Sequence, residues 1–128
     1  MAPRDRIRIL CIACSASGLS TLERALKGSQ YSVLTAATPD QGVAICVAQF
    51  VAAVIVDAES VRGKEWPVVK SLKLVRPSLP IILLDERSGG RNLERPEGVD
   101  ELVSVASLEK LPEAINQVLR SISRLPPP

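Results

Sequence analysis

Along this chain, short unbroken apolar runs alternate with stretches in which apolar residues recur every three or four positions. The runs fall at residues 7–13, 31–37, 52–57, 81–84 and 100–105. Runs of that length, rich in Val, Ile and Leu, predict strands covered on both faces, as in a parallel sheet. Leu19, Leu22, Ala25 and Leu26 predict a first helix. Val43, Ala44, Val47 and Ala48 belong to a second, and Val68, Val69, Leu72 and Val75 turn inward from a third. Leu111, Ile115, Val118, Leu119 and Ile122 form the stripe of a last one.

The punctuation agrees with these periods. Residues 15–18 are small and suit a turn, Ser20 with Glu23 can form a capping box, and Gly28 is a stop. Thr38, Pro39 and Gln41 make an N-cap, a first helical residue and a second capping box. Trp66-Pro67 opens the third helix and Pro77 ends it. Gly89, Gly90 and Pro96 leave room for about one helical turn at residues 92–95, so a fourth helix there is short or missing. Ser107 caps the final helix, and Pro112 fits only in its first turn. Residues 1–124 read as one domain and 125–128 as a Pro-rich tail.

Strand and helix in alternation imply an α/β fold, a doubly wound parallel sheet with right-handed crossovers. Five strands in this rhythm suggest the flavodoxin-like order 2-1-3-4-5, with the third strand in the middle. That strand lies in FVAAVIVDAES and ends in Asp57. A carboxylate at the carboxyl end of a buried parallel strand either caps the following loop or helix, or sits where open α/β sheets hold their ligands. The fourth strand also ends in an acid, Asp85, expected beside Asp57.

Composition narrows the chemistry. The 128 residues are 46% hydrophobic, enough for a packed core. Histidine is absent, which excludes Ser-His-Asp and Cys-His catalysis within the chain and removes the commonest metal ligand. Aromatics at 2% disfavour a stacking platform for single strands. The net charge of +2 is neutral on nucleic acid. Arg4, Arg6, Arg8, Lys64, Lys70, Lys73 and Arg76 read as a solvated face, and no helix-turn-helix is present, so no direct nucleic-acid contact is expected. No run is long enough to span a bilayer and the N-terminus lacks a signal-peptide layout, so a cytoplasmic protein without a membrane contact is expected.

Three cysteines, an odd number, fit reduced thiols. Cys11 and Cys14 are spaced as a redox pair, but Cys11 lies inside an apolar run, where core packing is the simpler role. The segment SASG after the first strand is short and polar without a glycine-rich phosphate cradle.

The order of elements, VIVDAES closing the third strand, RPSLPIILLD entering the fourth and VDELVSVASLEKLPEAINQVL at the end resemble the receiver domain of bacterial response regulators over nearly the whole chain. The resemblance places Asp57 at the position that accepts a phosphoryl group from a histidine kinase. It also implies losses. Ala13 and Cys14 stand where receivers hold Mg²⁺ with an acidic pair, and neither suits a hard, oxygen-seeking ion. Ser104 stands where receivers carry a lysine, Asp85 where they carry Ser or Thr, and Glu101 where they carry an aromatic switch residue.

A carboxylate attacking an anionic phosphoryl group needs that repulsion cancelled. The resemblance therefore implies a degenerate, pseudo-receiver domain. Such a domain would act through protein–protein contact in two-component (phosphorelay) signalling, with no catalytic residue, no metal and no cofactor. Its partner would be a histidine kinase, an output domain or a second copy.

Three other readings stay open. Asp57 could still accept phosphate through a rebuilt site. Asp57 and Asp85, with Glu59 or Glu86 nearby, could gather a cation such as Mg²⁺. From another class, the chain could be a small flavodoxin-like nucleotide- or cofactor-binding enzyme.

Overall fold

In the computed structural model of the chain, residues 7–13, 15–27, 31–57, 65–85 and 98–123 are described, the side chains of residues 65, 66, 85, 105–107 and 121–123 excepted. Gly28, Cys14, Glu59, Glu86, the one-turn helix expected at 92–95 and the tail lie outside them. In chain order the elements are β1 (Ile7–Ile12), α1 (Ala16–Leu26), β2 (Tyr31–Ala36), α2 (Pro39–Ala48), β3 (Ala53–Asp57), α3 (Glu65–Val75), β4 (Ile81–Asp85) and β5 (Glu101–Ser104). A 3-10 segment (Val105–Lys110) then leads into α4 (Leu111–Ser123). The sheet order is β2-β1-β3-β4-β5, and every neighbouring pair is parallel. The expected architecture holds, with β3 in the middle and buried along its whole length.

Alternation along the strands sorts their side chains between two cores. On one face Ile9, Cys11, Ile55, Ile82 and Leu84 meet Leu22 and Leu26 of α1 and Leu111 and Ile115 of α4. On the other, Leu10, Ile12, Val54, Val56, Ile81 and Leu83 meet Val68, Val69 and Leu72 of α3, with Val43, Ile45 and Cys46 of α2 packed against them. Each fully covered Leu or Ile contributes about 1.5–3 kcal/mol, an upper figure because the unfolded chain also buries some surface. A sheet covered on both sides needs no polar alternation, which is why the strands read as continuous apolar runs.

Helix ends follow local chemistry. At α2 the Gln41 N–H donates to Thr38 Oγ1 at 3.1 Å, while Gln41 Oε1 accepts from the Ala37 N–H at 2.8 Å. This is the expected box, reaching one residue further back. At α1 the expectation fails by a turn. Ser15, not Ser20, is the N-cap: its Oγ accepts the Gly18 N–H at 3.0 Å. The small residues assigned to a turn are the helix's first turn, because Ser15 satisfies an N–H that would otherwise lack a helical partner.

Pro112 is the second residue of α4, as its missing N–H requires. One side-chain expectation also changes. Val75 stands partly exposed at the end of α3. On α2, Ala44, Val47 and Ala48 face outward, and Val43, Ile45 and Cys46 do the packing.

Tertiary ties lock the layers. Lys73 Nζ donates to the Leu79 carbonyl at 2.7 Å and to Asp100 Oδ2 at 3.3 Å. The same Asp100 oxygen accepts the Ile81 N–H at 2.8 Å. One carboxylate thus joins α3 to the starts of β4 and β5. Just before it, Gly98 has φ +91°, and a Cβ there would come within 2.8 Å of Val69 Cγ1, so only glycine fits. Tyr31 donates its phenol O–H to Asn116 Oδ1, tying β2 to α4.

Candidate functional site

The carboxyl edge of β3 presents one acid. Asp57 is 8% exposed and is the buried charged residue among those described. Val56 pairs with Ile12 of β1, and Asp57 pairs with Leu84 of β4. Asp57 therefore stands beside the exit of β1, where Ala13 is completely buried. Asp85 is one step further along β4, level with Ser104 of β5. The two acids are on neighbouring strands but offset by one residue, and Leu84 is the residue level with Asp57.

Above Asp57 sits the start of α1. A Cβ placed on Gly18 would lie 2.9 Å from Asp57 Oδ2, 2.9 Å from Ser15 Oγ and 3.3 Å from Ala13 Cβ. Glycine at this position lets the first turn of α1 close directly over the carboxylate. A helix N-terminus carries a partial charge of about +0.5, so the contact is favourable by roughly 0.3–1 kcal/mol, rising to about 2 kcal/mol where partly buried. Such a dipole stabilises a carboxylate at rest. It does not supply the full charges needed to bring a second anion onto it.

Gly18 and Ser15 were not singled out from the sequence as site residues. Their signal was legible all the same: a serine three residues before a glycine, directly after a strand, is an N-cap whose helix points back at the strand ends.

The acids weighed beside Asp57 for a cation, Glu59, Glu86 and the side chain of Asp85, lie outside the described residues. Mg²⁺ demands near-octahedral oxygen ligands. Ala13 is fully buried, and among the described residues no three acids, cysteines or histidines gather to hold a metal. Ser104 is half-buried at the end of β5.

The thiols likewise fit packing better than redox work. Burial, reinforced by the nearby charge of Glu23, pushes Cys11 up from 9.0 to about 12, so it holds its proton at neutral pH. Cys46 is also raised by its burial, with the Arg76 guanidinium opposing the shift.

By sequence, no family model and no curated protein matches the chain. By structure, the likeness is consistent. A response regulator receiver domain protein from Clostridium thermocellum superposes with a TM-score of 0.77 at 22% identity, over 91% of this chain and 97% of that one. A CheY-like receiver domain protein from Methanospirillum hungatei gives 0.76 at 19% identity, over 92% and 97%. The receiver domain of a sensor histidine kinase from Pseudomonas aeruginosa, with a magnesium ion coordinated in its active site cleft, gives 0.76 at 17% identity, over 89% and 98%. The chain has the fold of the CheY-like response regulator receiver domains.

Proposed function

We propose that this protein is a degenerate receiver domain of two-component signalling, which works by docking on another protein without Mg²⁺-dependent phosphorylation. The observation that carries this reading is the wall around Asp57: Ala13, fully buried, and Gly18, whose missing side chain lets α1 close to within van der Waals reach of the carboxylate. An uncharged Ser104 in the lysine position supports it further. Removing one preorganised electrostatic group from a reacting site costs on the order of 3 kcal/mol. Two such losses slow phosphoryl transfer by roughly four orders of magnitude.

The partner is a histidine kinase, an output domain or a second copy of the chain, and no direct contact with nucleic acid is involved. No helix among the described residues is long and apolar enough to cross a membrane, and we place the protein in the cytoplasm.

Incubation with a small phosphodonor and Mg²⁺, followed by intact mass, tests this. The expected result is no phosphoryl adduct. An adduct that vanishes in Asp57→Asn would instead make the protein a working phosphoacceptor.

A further inference from the structure

The outer face of α2 is at odds with its surroundings. From Gln41 to Val56 there is no charged residue. A helix apolar on all sides belongs in an interior, yet Ala44, Val47 and Ala48 are exposed, Val47 at 70%. Phe50, just past the helix, is 67% exposed, and Leu74 on the neighbouring α3 is 84% exposed. The exposed apolar surface of these residues is on the order of 400 Å², the size at which patches on soluble proteins begin to mark interaction sites.

Charge is confined to the two ends of this face. Asp40 lies in the first turn of α2 and is exposed. It shares a stripe with Ala44, Val47 and Ala48 at spacings of four, seven and eight residues, which fall on one side of a helix. At the other end, the Arg76 guanidinium lies over the Phe50 ring, 4.3 Å from its centroid.

An acid at one end, a cation at the other and small residues between them make the face complementary to itself when reversed. Two-fold pairing across Ala44 runs the two α2 helices antiparallel. It lays Val47 of each copy beside Gln41 and Ala44 of the other and sets each Asp40 toward the other copy's Ala48 and Phe50 end, where Arg76 lies over the Phe50 ring. Isologous interfaces are built in this way, with every contact made twice. Antiparallel helix dipoles also favour it.

A stable interface covers about 800 Å² per partner, a little over half of it apolar. The apolar patch supplies that share, and Asp40, Gln41 and Arg76, from exposed to half-buried, supply a polar rim.

We infer that the α2 face is a docking surface for a second copy of this chain, held by the Val47–Phe50 apolar patch and two reciprocal Asp40–Arg76 ion pairs. This rests on the reading of the chain as a docking module but concerns a different edge of the sheet, so the two can fail separately. Phosphate uptake at Asp57 by a dimeric protein would overturn the first and leave the second standing.

The test is sedimentation equilibrium on the full chain, from micromolar to millimolar concentration, with far-UV circular dichroism to confirm folding. The wild type is expected to dimerise. Val47→Glu, introduced twice into the interface, should raise the dissociation constant about a hundredfold. Asp40→Arg and Arg76→Glu should each raise it about tenfold, and the double variant Asp40→Arg/Arg76→Glu should recover most of that loss. A wild type that stays monomeric up to millimolar concentration would overturn the inference and leave the face to a different protein. A dimer indifferent to Val47→Glu, or a double variant no tighter than the singles, would overturn it as well.

Discussion

The two edges of the sheet invert each other. At the carboxyl edge, an ionisable side chain, Asp57, is almost wholly covered and walled by the small residues Ala13, Ser15 and Gly18. At the amino edge, where β3 and β4 begin, the large apolar side chains of Val47, Phe50 and Leu74 stand in water. Folding alone favours neither arrangement, since burying a charge costs energy and exposing Leu or Phe forgoes about 1.5–3 kcal/mol each. The contrast separates two jobs of a receiver fold. The described part of the carboxyl edge holds a covered carboxylate under a helix end, while the opposite edge keeps a surface that gains only when something covers it.

The harshest way to break this contrast is to restore an acid at the closed edge. Ala13→Asp puts a second carboxylate into a fully buried place next to Asp57. An uncompensated buried charge costs about 3–5 kcal/mol. Urea unfolding at neutral pH should show a loss of that size. A loss below about 1 kcal/mol would mean that the edge has room for a second acid, and the pseudo-receiver reading would lose its main support.

Alkaline pH probes the interior between the edges. Cys11 titrates near 9.0 when unfolded and at about 12 when folded. With the folded value raised, the unfolded chain loses its proton first. The contribution of Cys11 to stability is therefore flat below about pH 9 and falls by about 1.4 kcal/mol per pH unit above it, for a total on the order of 4 kcal/mol by about pH 12. Cys11→Val should flatten that limb relative to wild type. In the native protein a thiol reagent should reach half-exposed Cys46 well before Cys11.

Gly18→Ala sharpens the comparison at the carboxyl edge with a smaller step. The added methyl would stand 2.9 Å from both Asp57 Oδ2 and Ser15 Oγ, so α1 must shift. Overpacking of this kind costs about 1–3 kcal/mol. The cost should fall by about 1 kcal/mol or more when the same change is made in an Asp57→Ala background. Equal costs in both backgrounds would remove Asp57 from the contact.

How much of this was legible in the sequence depends on what each residue answers to. The two-sided core followed from period, because a sheet covered on both faces leaves no other pattern for Val54, Ile55 and Val56, and the strand order followed from the alternation of strand and helix. The box at Thr38 and Gln41 is local and was read correctly. The start of α1 was misplaced because Ser15 and Ser20 are both plausible caps, and the choice between them depends on where Gly18 meets Asp57, a contact 39 residues away in sequence.

The offset of Asp85 from Asp57 was invisible for the same reason: register between strands is a tertiary fact, set by packing. The outward turn of Val47 escaped because α2 is apolar on every side from Gly42 to Ala48, so its period names no inner face.

Leu74→Lys makes the gentlest comparison. Leu74 is 84% exposed on α3, and Leu and Lys have similar helix propensities. In dilute solution, where any dimer has dissociated, the substitution should change unfolding free energy by less than about 0.5 kcal/mol. A side chain of the same type at Leu72, two residues before it on the opposite side of the helix and fully buried, anchors the second core, and Leu72→Ala should cost about 2–5 kcal/mol. If Leu74→Lys proves as damaging as an interior change even at high dilution, the residue is held against the protein's own surface in solution. The amino edge would then be ordinary core, and the contrast between the two edges would disappear.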